Sequence, residues 1–238
     1  MAVGVFVASA AAVLFAAGAF EVERIRFSGL HRVSYDEALA AAGIRVGDFM
    51  GTLDAGRAEH SLEALAWIAE ARVTRRWPAT VDVDVVERSG AAIALAAPGS
   101  WVLVDREGRV LTAPLEAPPD LPRLSGIAAA PQPGAYLGDD ADAPLAALNA
   151  ARGRREFSVM ALWRDQRGDL LARVRQTSSG LVIEAALGDD SAVGAKVAAI
   201  AAVIEEMSDA DAVVSGVAVS DVVIDVSVPH LPVLRTLS

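Results

Sequence analysis

The sequence predicts an α+β protein: an N-terminal transmembrane helix at 1–20, a β-α-α-β-β domain at 21–90, and a mixed β-sheet domain with one or two helices at 91–238. Three observations predict this order. The first segment has no charged residue. The next places two capped helical patterns between stretches that alternate with a two-residue period. The last consists mainly of short β-branched runs separated by turn residues.

The charge distribution excludes one class of partner. The chain has a formal net charge of −10. Residues 21–88 hold 9 Arg against 12 Asp and Glu (−3), and residues 89–238 hold 12 Lys and Arg against 19 Asp and Glu (−7). Neither part has the basic character that a phosphate backbone requires, so no nucleic-acid partner is expected. Cysteine is absent, which excludes disulfides and thiolate metal sites.

Residues 1–20 can cross a bilayer as one helix, because about 20 apolar residues span the hydrocarbon core. A cleaved signal peptide is the alternative, since Ala17-Gly18-Ala19 resembles the small-residue pattern before a cleavage site. No Lys or Arg precedes the segment, and we expect a basic tail upstream of this start site. Either interpretation places residues 21–238 outside the cytoplasm.

The domain at 21–90 begins with a predicted strand at 21–27, in which β-branched and aromatic residues mix with charges before a turn. A helix is expected after Ser34, because Ser34 and Glu37 have the spacing of a capping box. It should end near Gly43, since glycine readily adopts the backbone conformation that closes a helix.

A second helix and two strands complete this domain. Asp54 is the predicted N-cap of the helix. Its apolar face is predicted to contain Ala58, Leu62 and Leu65. Residues 70–76 and 81–85 alternate as half-buried strands. Two helices on one face of a three-stranded sheet make a complete layered domain.

The domain at 91–238 is predicted to be rich in hairpins. Residues 101–104 and 109–111 flank one glycine-bearing turn, and residues 159–163 and 169–174 flank another. Residues 113–134 hold six prolines, so we expect that segment to run over the surface without pairing into a sheet.

Helices and further strands are predicted in the rest of this domain. One helix should end near Gly153, and another should begin with Ser191 as its cap. The remaining predicted strands are 181–183, 213–219 and 222–228. Pro229 and Pro232 are expected to end regular pairing.

Five segments, in this order, resemble the landmarks of a known family. They are VERIRFSG (22–29), GDFMGTLD (47–54), LAWIAEARVTRRWPATVDVDVVER (65–88), WVLVDREGRVL (101–111) and LPRLSG (121–126). Together they resemble the FtsQ/DivIB family, in which the first three build a POTRA domain and a β domain follows. The third is the most specific, because a Trp-led strand, a Trp-Pro turn and an acid-alternating strand must coincide. Within it, Trp67 and Trp77 are expected to be packing residues.

The resemblance implies a single-pass membrane scaffold of the bacterial divisome at the division septum, with no enzymatic activity and no cofactor. It also implies partners: small bitopic division proteins of the FtsB and FtsL type and other divisome membrane proteins. The family receives the small partners at the last strands of its β domain. An exposed edge strand can accept such a segment through main-chain hydrogen bonds. On this chain the candidate partner-binding residues are Val222, Ile224, Asp225, Val226, Ser227 and Val228.

Other interpretations stay open at this level. Residues 222–228 could simply complete the sheet. The chain could be a POTRA-containing envelope assembly protein of another class, although a single copy of the module does not favour this. It could also be a secreted envelope enzyme with an unrecognised site, although His31, His60 and His230 lie in no metal-ligand motif.

Overall fold

The computed structural model describes residues 20–115, 119–209 and 222–236. The chain divides into two compact units, with the boundary between Ser89 and Gly90. The transmembrane helix predicted at 1–20 lies outside the described residues, apart from Phe20. Within the described ranges, no helix combines the length and the apolar sequence that a membrane crossing requires.

The first unit is a three-stranded sheet with two helices. Its elements are β1 (Arg24–Ser28), α1 (Tyr35–Ala42), α2 (Ala55–Glu63), β2 (Ile68–Arg76) and β3 (Thr80–Glu87). The strand order is β1-β3-β2, and β3 runs parallel to β1 and antiparallel to β2. The predicted β-α-α-β-β order is therefore confirmed.

Both helices of the first unit begin at the predicted caps. Ser34 Oγ accepts a hydrogen bond from the Glu37 amide at 3.2 Å, and Asp54 Oδ1 accepts one from the Arg57 amide at 3.0 Å. Each bond satisfies a backbone donor for which the first helical turn has no acceptor. Gly43 ends α1 in the left-handed region, with φ at 65°.

The core of the first unit follows from the alternation in β3. Val81, Val83 and Val85 are buried and form one apolar cluster with Ala38 of α1 and Leu62 of α2. The sheet thereby buries one face under the helices.

The two tryptophans of this unit differ in environment. Trp67 packs against the apolar cluster, and the Arg32 guanidinium lies 4.5 Å from the centre of its ring. Trp77 is 56% exposed and contacts Phe20 edge-on, with 5.7 Å between ring centroids. The packing role is therefore confirmed for Trp67 and wrong for Trp77.

The second unit is an eight-stranded mixed sheet with two α-helices in its described part. Its elements are β4 (Ala92–Ala97), β5 (Ser100–Val104), β6 (Arg123–Ser125), α3 (Asp142–Ala150), β7 (Phe157–Arg164), β8 (Leu170–Gln176), β9 (Val182–Gly188), α4 (Val193–Asp209), β10 (Val222–Asp225) and β11 (Val233–Thr236). The strand order is β11-β10-β9-β8-β7-β6-β4-β5. The predicted α+β class is confirmed for both units.

Of two predictions for the start of the second unit, one is confirmed in part and one is wrong. Residues 101–104 and 109–111 do pair antiparallel across the turn at 105–108, through the Val104–Val110 bridge and the bond from the Leu111 amide to Leu103 O, but the main partner of β5 is β4. Residues 123–125, expected to be unpaired, form β6 between β4 and β7. The preceding Pro122 has no N–H to donate, but its carbonyl accepts a bond from the Ile93 amide at 2.9 Å, so it joins the ladder as an acceptor.

The later elements agree better with the prediction. The β7–β8 hairpin, β9 and α3 form as expected. Helix α4 begins at Val193, so Ala192 and not Ser191 directly precedes it. The predicted strand at 213–219 lies outside the described residues. Pro232 does not end the pairing, because β11 follows it at once, antiparallel to β10.

The core of the second unit lies between the sheet and the two helices. Helices α3 and α4 pack together, and the inward residues of β8 (Leu170, Ala172 and Val174) belong to the same apolar cluster. Lys196 of α4 is 1% exposed, and its Nζ donates to Asp189 O at 2.8 Å and to Asp189 Oδ1 at 2.6 Å. These bonds offset the cost of burying a charged amine. The bond from Lys196, followed by those from Ser191, lowers the pKa of Asp189 to about 2.

Candidate partner-binding edge

The two ends of the eight-stranded sheet differ in how their backbone is satisfied. At the β5 end, the chain that follows the strand covers its outer side. The Leu111 amide donates to Leu103 O and the Leu115 amide donates to Trp101 O, each at 2.8 Å, and Thr112 Oγ1 accepts from the Leu103 amide at 3.1 Å. This end therefore offers few free backbone groups to another chain.

The β2 edge of the first sheet is covered by side chains of α2. Glu63 Oε1 accepts from the Ala71 amide at 3.2 Å, and Glu59 Oε1 accepts from the Val73 amide at 2.7 Å. Two outward donors of the strand are thereby occupied, which hinders addition of a further strand.

The β11 end is different. β11 is the terminal strand in the sheet order and pairs on one side with β10. In the described part of the chain, no strand or bridge covers its outer side. It is an open sheet edge, of the kind to which an extended segment can add.

The pairing of β10 determines which backbone groups of β11 are free. The Val226 amide donates to Ala186 O of β9 at 2.9 Å, so the even-numbered residues of this strand direct their backbone groups towards β9. Consecutive residues direct theirs to opposite sides. Val223 and Asp225 therefore bond in the other direction, towards β11.

The same alternation continues across β11. Val223 is opposite Arg235, and Asp225 is opposite Val233. Val233 and Arg235 therefore exchange main-chain hydrogen bonds with β10. The N–H and C=O of Leu234, between them, point away from the sheet.

Apolar side chains surround this edge. Val228, Leu231, Val233 and Leu234 are 45%, 67%, 49% and 54% exposed. They account for four of the ten large apolar residues with this degree of exposure in the described chain, and they fall within seven positions. A local concentration of exposed apolar side chains is typical of a protein interaction site.

Asp225 holds β11 against the sheet. Its Oδ1 accepts from the Ser227 amide at 3.0 Å and from Ser227 Oγ at 2.7 Å, and its Oδ2 lies 2.7 Å from Arg235 Nη2. Partial burial is the largest influence on this carboxyl and raises its pKa, but the Ser227 bonds and the Arg235 charge together outweigh it. The pKa of Asp225 is therefore lowered from 3.8.

The structure corrects the edge predicted at 222–228. β10 lies between β9 and β11 and is not an edge, and Ile224 and Val226 are fully buried. Asp225 accepts bonds from Ser227 and pairs with Arg235 of β11, and Val228 is one of the exposed apolar residues beside this edge. The backbone of Val222 pairs with Thr236. Contact between these residues and a partner stays a prediction. The backbone groups that are free to pair belong to β11, a strand that the sequence did not predict because Pro229 and Pro232 favour the end of pairing.

The three histidines, which lie in no sequence motif, form no metal site within the described residues. His31 and His60 lie in the first unit and His230 lies in the turn before β11. In the ranges that the structure describes, no group of three or more His, Asp or Glu side chains is arranged to hold a metal ion.

Comparison with known proteins adds the family. Residues 20–88 match the family model of the FtsQ-type POTRA domain. The chain belongs to the FtsQ/DivIB family. Similar proteins named cell division protein FtsQ come from Myxococcus fulvus (29% identity over 177 residues, 74% of this chain and 59% of that protein), Zymomonas mobilis subsp. mobilis (34% over 111 residues, 46% and 35%) and Anaeromyxobacter sp. (36% over 107 residues, 44% and 36%). The chain spans less than two thirds of the length of each of these relatives.

The structure explains the glycine that ends two of the FtsQ-type motifs, VERIRFSG and LPRLSG. Gly29, which ends VERIRFSG, has φ at 81°, and a Cβ there would lie 1.9 Å from Val85 O. Gly126, which ends LPRLSG, has φ at 67°, and a Cβ there would lie 2.6 Å from Arg164 O. In both motifs the glycine lets one strand end directly against the backbone of its neighbour.

Proposed function

We propose that this chain is a non-enzymatic scaffold of bacterial cell division that holds partner proteins by adding their extended segments to β11. The observation that carries the proposal is the open edge at Leu234, surrounded by exposed apolar side chains. Membership of the FtsQ/DivIB family supports the division role, because the relatives are named cell division protein FtsQ.

The proposed partners are small bitopic proteins of the FtsB and FtsL type, together with other membrane proteins of the divisome. Residues 1–20 would hold the chain at the cell membrane, with both units outside the cytoplasm and near the septum. In this arrangement the protein acts by position: it recruits partners and orders them, without transforming a substrate.

The energetics require both backbone and side chains. A main-chain hydrogen bond contributes about 1 kcal/mol net, and β11 has only four residues. Strand addition alone would therefore be weak. Burial of Leu231, Val233 and Leu234, at about 25 cal/mol per Å² of apolar area removed from water, would supply the rest.

A proline at Leu234 tests the proposal. Leu234→Pro removes an outward N–H that the native sheet does not use, so the pairing of β11 with β10 is kept. We expect this variant to lose capture of the extracytoplasmic segment of the host's FtsB-type protein in a pull-down. Leu234→Ala, which keeps the amide, is the matched control and should retain partial capture.

Circular dichroism must show that both variants remain folded. Undiminished capture by folded Leu234→Pro would overturn strand addition at β11. Equal loss in both variants would also overturn it, because the leucine side chain, and not the backbone, would then be what the partner contacts.

A further inference from the structure

A cavity lined by arginines lies in the second unit. Its lining is basic, whereas the edge at β11 is apolar. Its volume is about 600 Å³, and it is formed by the starts of β6 and β7, the end of β8, the turn at 105–108 and the loop after α3. The arginines that line it are Arg106, Arg123, Arg152, Arg154, Arg173 and Arg175. One described acidic residue, Asp120, lines it as well.

The cavity is basic although the chain as a whole is acidic. Six of the 21 Lys and Arg residues line the cavity, and Asp120 is the one acidic residue in the described part of the lining, so that part carries +5 in a chain of −10. A wall of like charges raises the local potential and attracts anions.

Two of these arginines extend from strands on opposite sides of β7. Arg123 and Arg173 are both opposite Ala161, on either side of β7. Since adjacent strands are about 4.8 Å apart, their Cα atoms are separated by roughly 10 Å. The Arg123 guanidinium lies 5.7 Å from the centre of the Trp101 ring, and the Arg173 guanidinium lies 5.4 Å from that of Trp163. These ring contacts fix the two charges at separate places.

Most of the positive charge is not neutralised within the protein. Arg173 pairs with Glu184 at 2.5 Å, and Arg154 is close enough to Glu156 to help lower the pKa of that carboxyl, behind the larger effects of the Glu156 and Arg155 amides. Arg106 binds the neutral amide oxygen of Asn149 at 3.3 Å. Arg152 and Arg175 form no ion pair or ring contact with any described residue.

The chemistry of the cavity restricts its ligand. Every basic residue in the lining is arginine, whose planar fork binds phosphate and carboxylate oxygens in pairs. The volume is in the range of small-molecule sites, about 300–1,000 Å³, and is small for a protein segment. Guanidinium groups held against two different rings favour a ligand with more than one phosphate group over a single phosphate. The apolar residues Leu121, Pro122, Phe157 and Met160 provide a surface for an organic group.

The geometry points to a binding site for a small ligand that carries two or more phosphate groups. Such a ligand could be a soluble phosphorylated molecule or the headgroup of a phospholipid. The site is independent of the proposed partner edge, since the cavity is lined by none of the residues of β10 or β11.

Titration calorimetry on the full chain in a neutral detergent tests the site, with pyrophosphate and orthophosphate as probes. We expect pyrophosphate to bind more tightly than orthophosphate. The double variant Arg152→Gln/Arg175→Gln should weaken pyrophosphate binding by about tenfold or more, because two charge-assisted contacts are lost. The control, Arg155→Gln/Arg167→Gln, removes two exposed arginines outside the lining and should change binding by less than about twofold.

Two further probes separate the sources and the rival ligand class. A short-chain cardiolipin, whose headgroup carries two phosphate groups, should compete with pyrophosphate when it is used below its micelle concentration. Whichever of the two binds more tightly identifies a lipid or a soluble source. A hexaglutamate peptide that binds more tightly than pyrophosphate would overturn the proposal in favour of an acidic protein segment. So would equal affinity for both phosphate probes, no binding at millimolar concentration, or equal binding by the cavity variant and its control.

Discussion

Glu87, at the end of β3, binds the backbone of the loop between β1 and α1. Its carboxylate accepts hydrogen bonds from the amides of His31, Arg32 and Val33 at 2.9–3.0 Å. Burial is the largest single influence and raises the pKa of Glu87, but the three amides and His31 together outweigh it, and the pKa is lowered from 4.5. A charged acceptor shared by consecutive amides is therefore a strong local constraint.

Replacing this carboxylate should destabilise the first unit. We expect Glu87→Gln to lower the free energy of unfolding by about 1–3 kcal/mol at neutral pH, because hydrogen bonds to a charged group are lost. Urea denaturation followed by tryptophan fluorescence measures this. Glu70→Gln, at an exposed position of β2, is the control and should stay within about 0.5 kcal/mol of the native chain. Equal stability of the two variants would contradict the role of Glu87.

The same group predicts a pH dependence. Because the folded pKa of Glu87 is lowered, the unfolded chain takes up the proton first. The stabilisation is present above the unfolded value of 4.5 and is lost as the pH falls through the folded pKa. The difference in unfolding free energy between the native chain and Glu87→Gln should therefore be largest near neutral pH and shrink as the pH falls below 4.5. A difference that stays constant as the pH falls would exclude a contribution from the charge.

At the scale of elements, the sequence predicts structure where the signal is local. The caps at Ser34 and Asp54 and the alternation in β3 are contained in a few adjacent residues, and they confirm the first unit element by element. The same holds for the β7–β8 hairpin. In each of these elements, the residues that contact one another are close in the sequence, or the pattern follows from the period of the helix or strand itself.

The elements that the sequence misses depend on distant partners. β6 has three residues, too few for a period, and is defined by parallel pairing with β4 and β7. β11 follows Pro232, a residue that favours the end of a strand, yet an edge strand needs hydrogen bonds on one side only. The candidate site was therefore predicted one strand too early: its region is evident in the valine-rich C-terminal segment, but its edge is not.

Asp225 should decide how firmly β11 is held. Asp225→Asn keeps an acceptor for Ser227 but removes the ion pair with Arg235. The Asp225 side chain in this pair is only 13% exposed. We expect the amides of Val233 and Arg235 to exchange hydrogen roughly three- to tenfold faster, since the local opening free energy falls by about 1 kcal/mol. Glu206→Gln, an exposed residue of α4, removes one charge in the same unit and should leave this exchange unchanged. Unaltered exchange in Asp225→Asn would show that the ion pair does not hold the strand.

At the scale of the whole molecule, the sheet edges differ in how far their outward backbone groups are covered. The β5 and β2 edges are covered by the following chain and by glutamates of α2. β1 has five residues, and Tyr35 Oη donates to Ile25 O at 3.3 Å. β11 keeps outward backbone groups and exposed apolar side chains together. Sheet proteins blunt edges that have no partner, so an edge that the described residues leave open supports the proposal that a partner segment pairs with it.

The most direct measurement of this claim is hydrogen exchange at single amides of β11, with and without the extracytoplasmic segment of the host's FtsB-type protein. In the free chain the amides of Val233 and Arg235 should already be protected and that of Leu234 should exchange rapidly. Addition of the segment should protect Leu234 strongly and change its two neighbours little. If the segment binds and Leu234 continues to exchange at the rate of the free chain, the partner does not add to this edge.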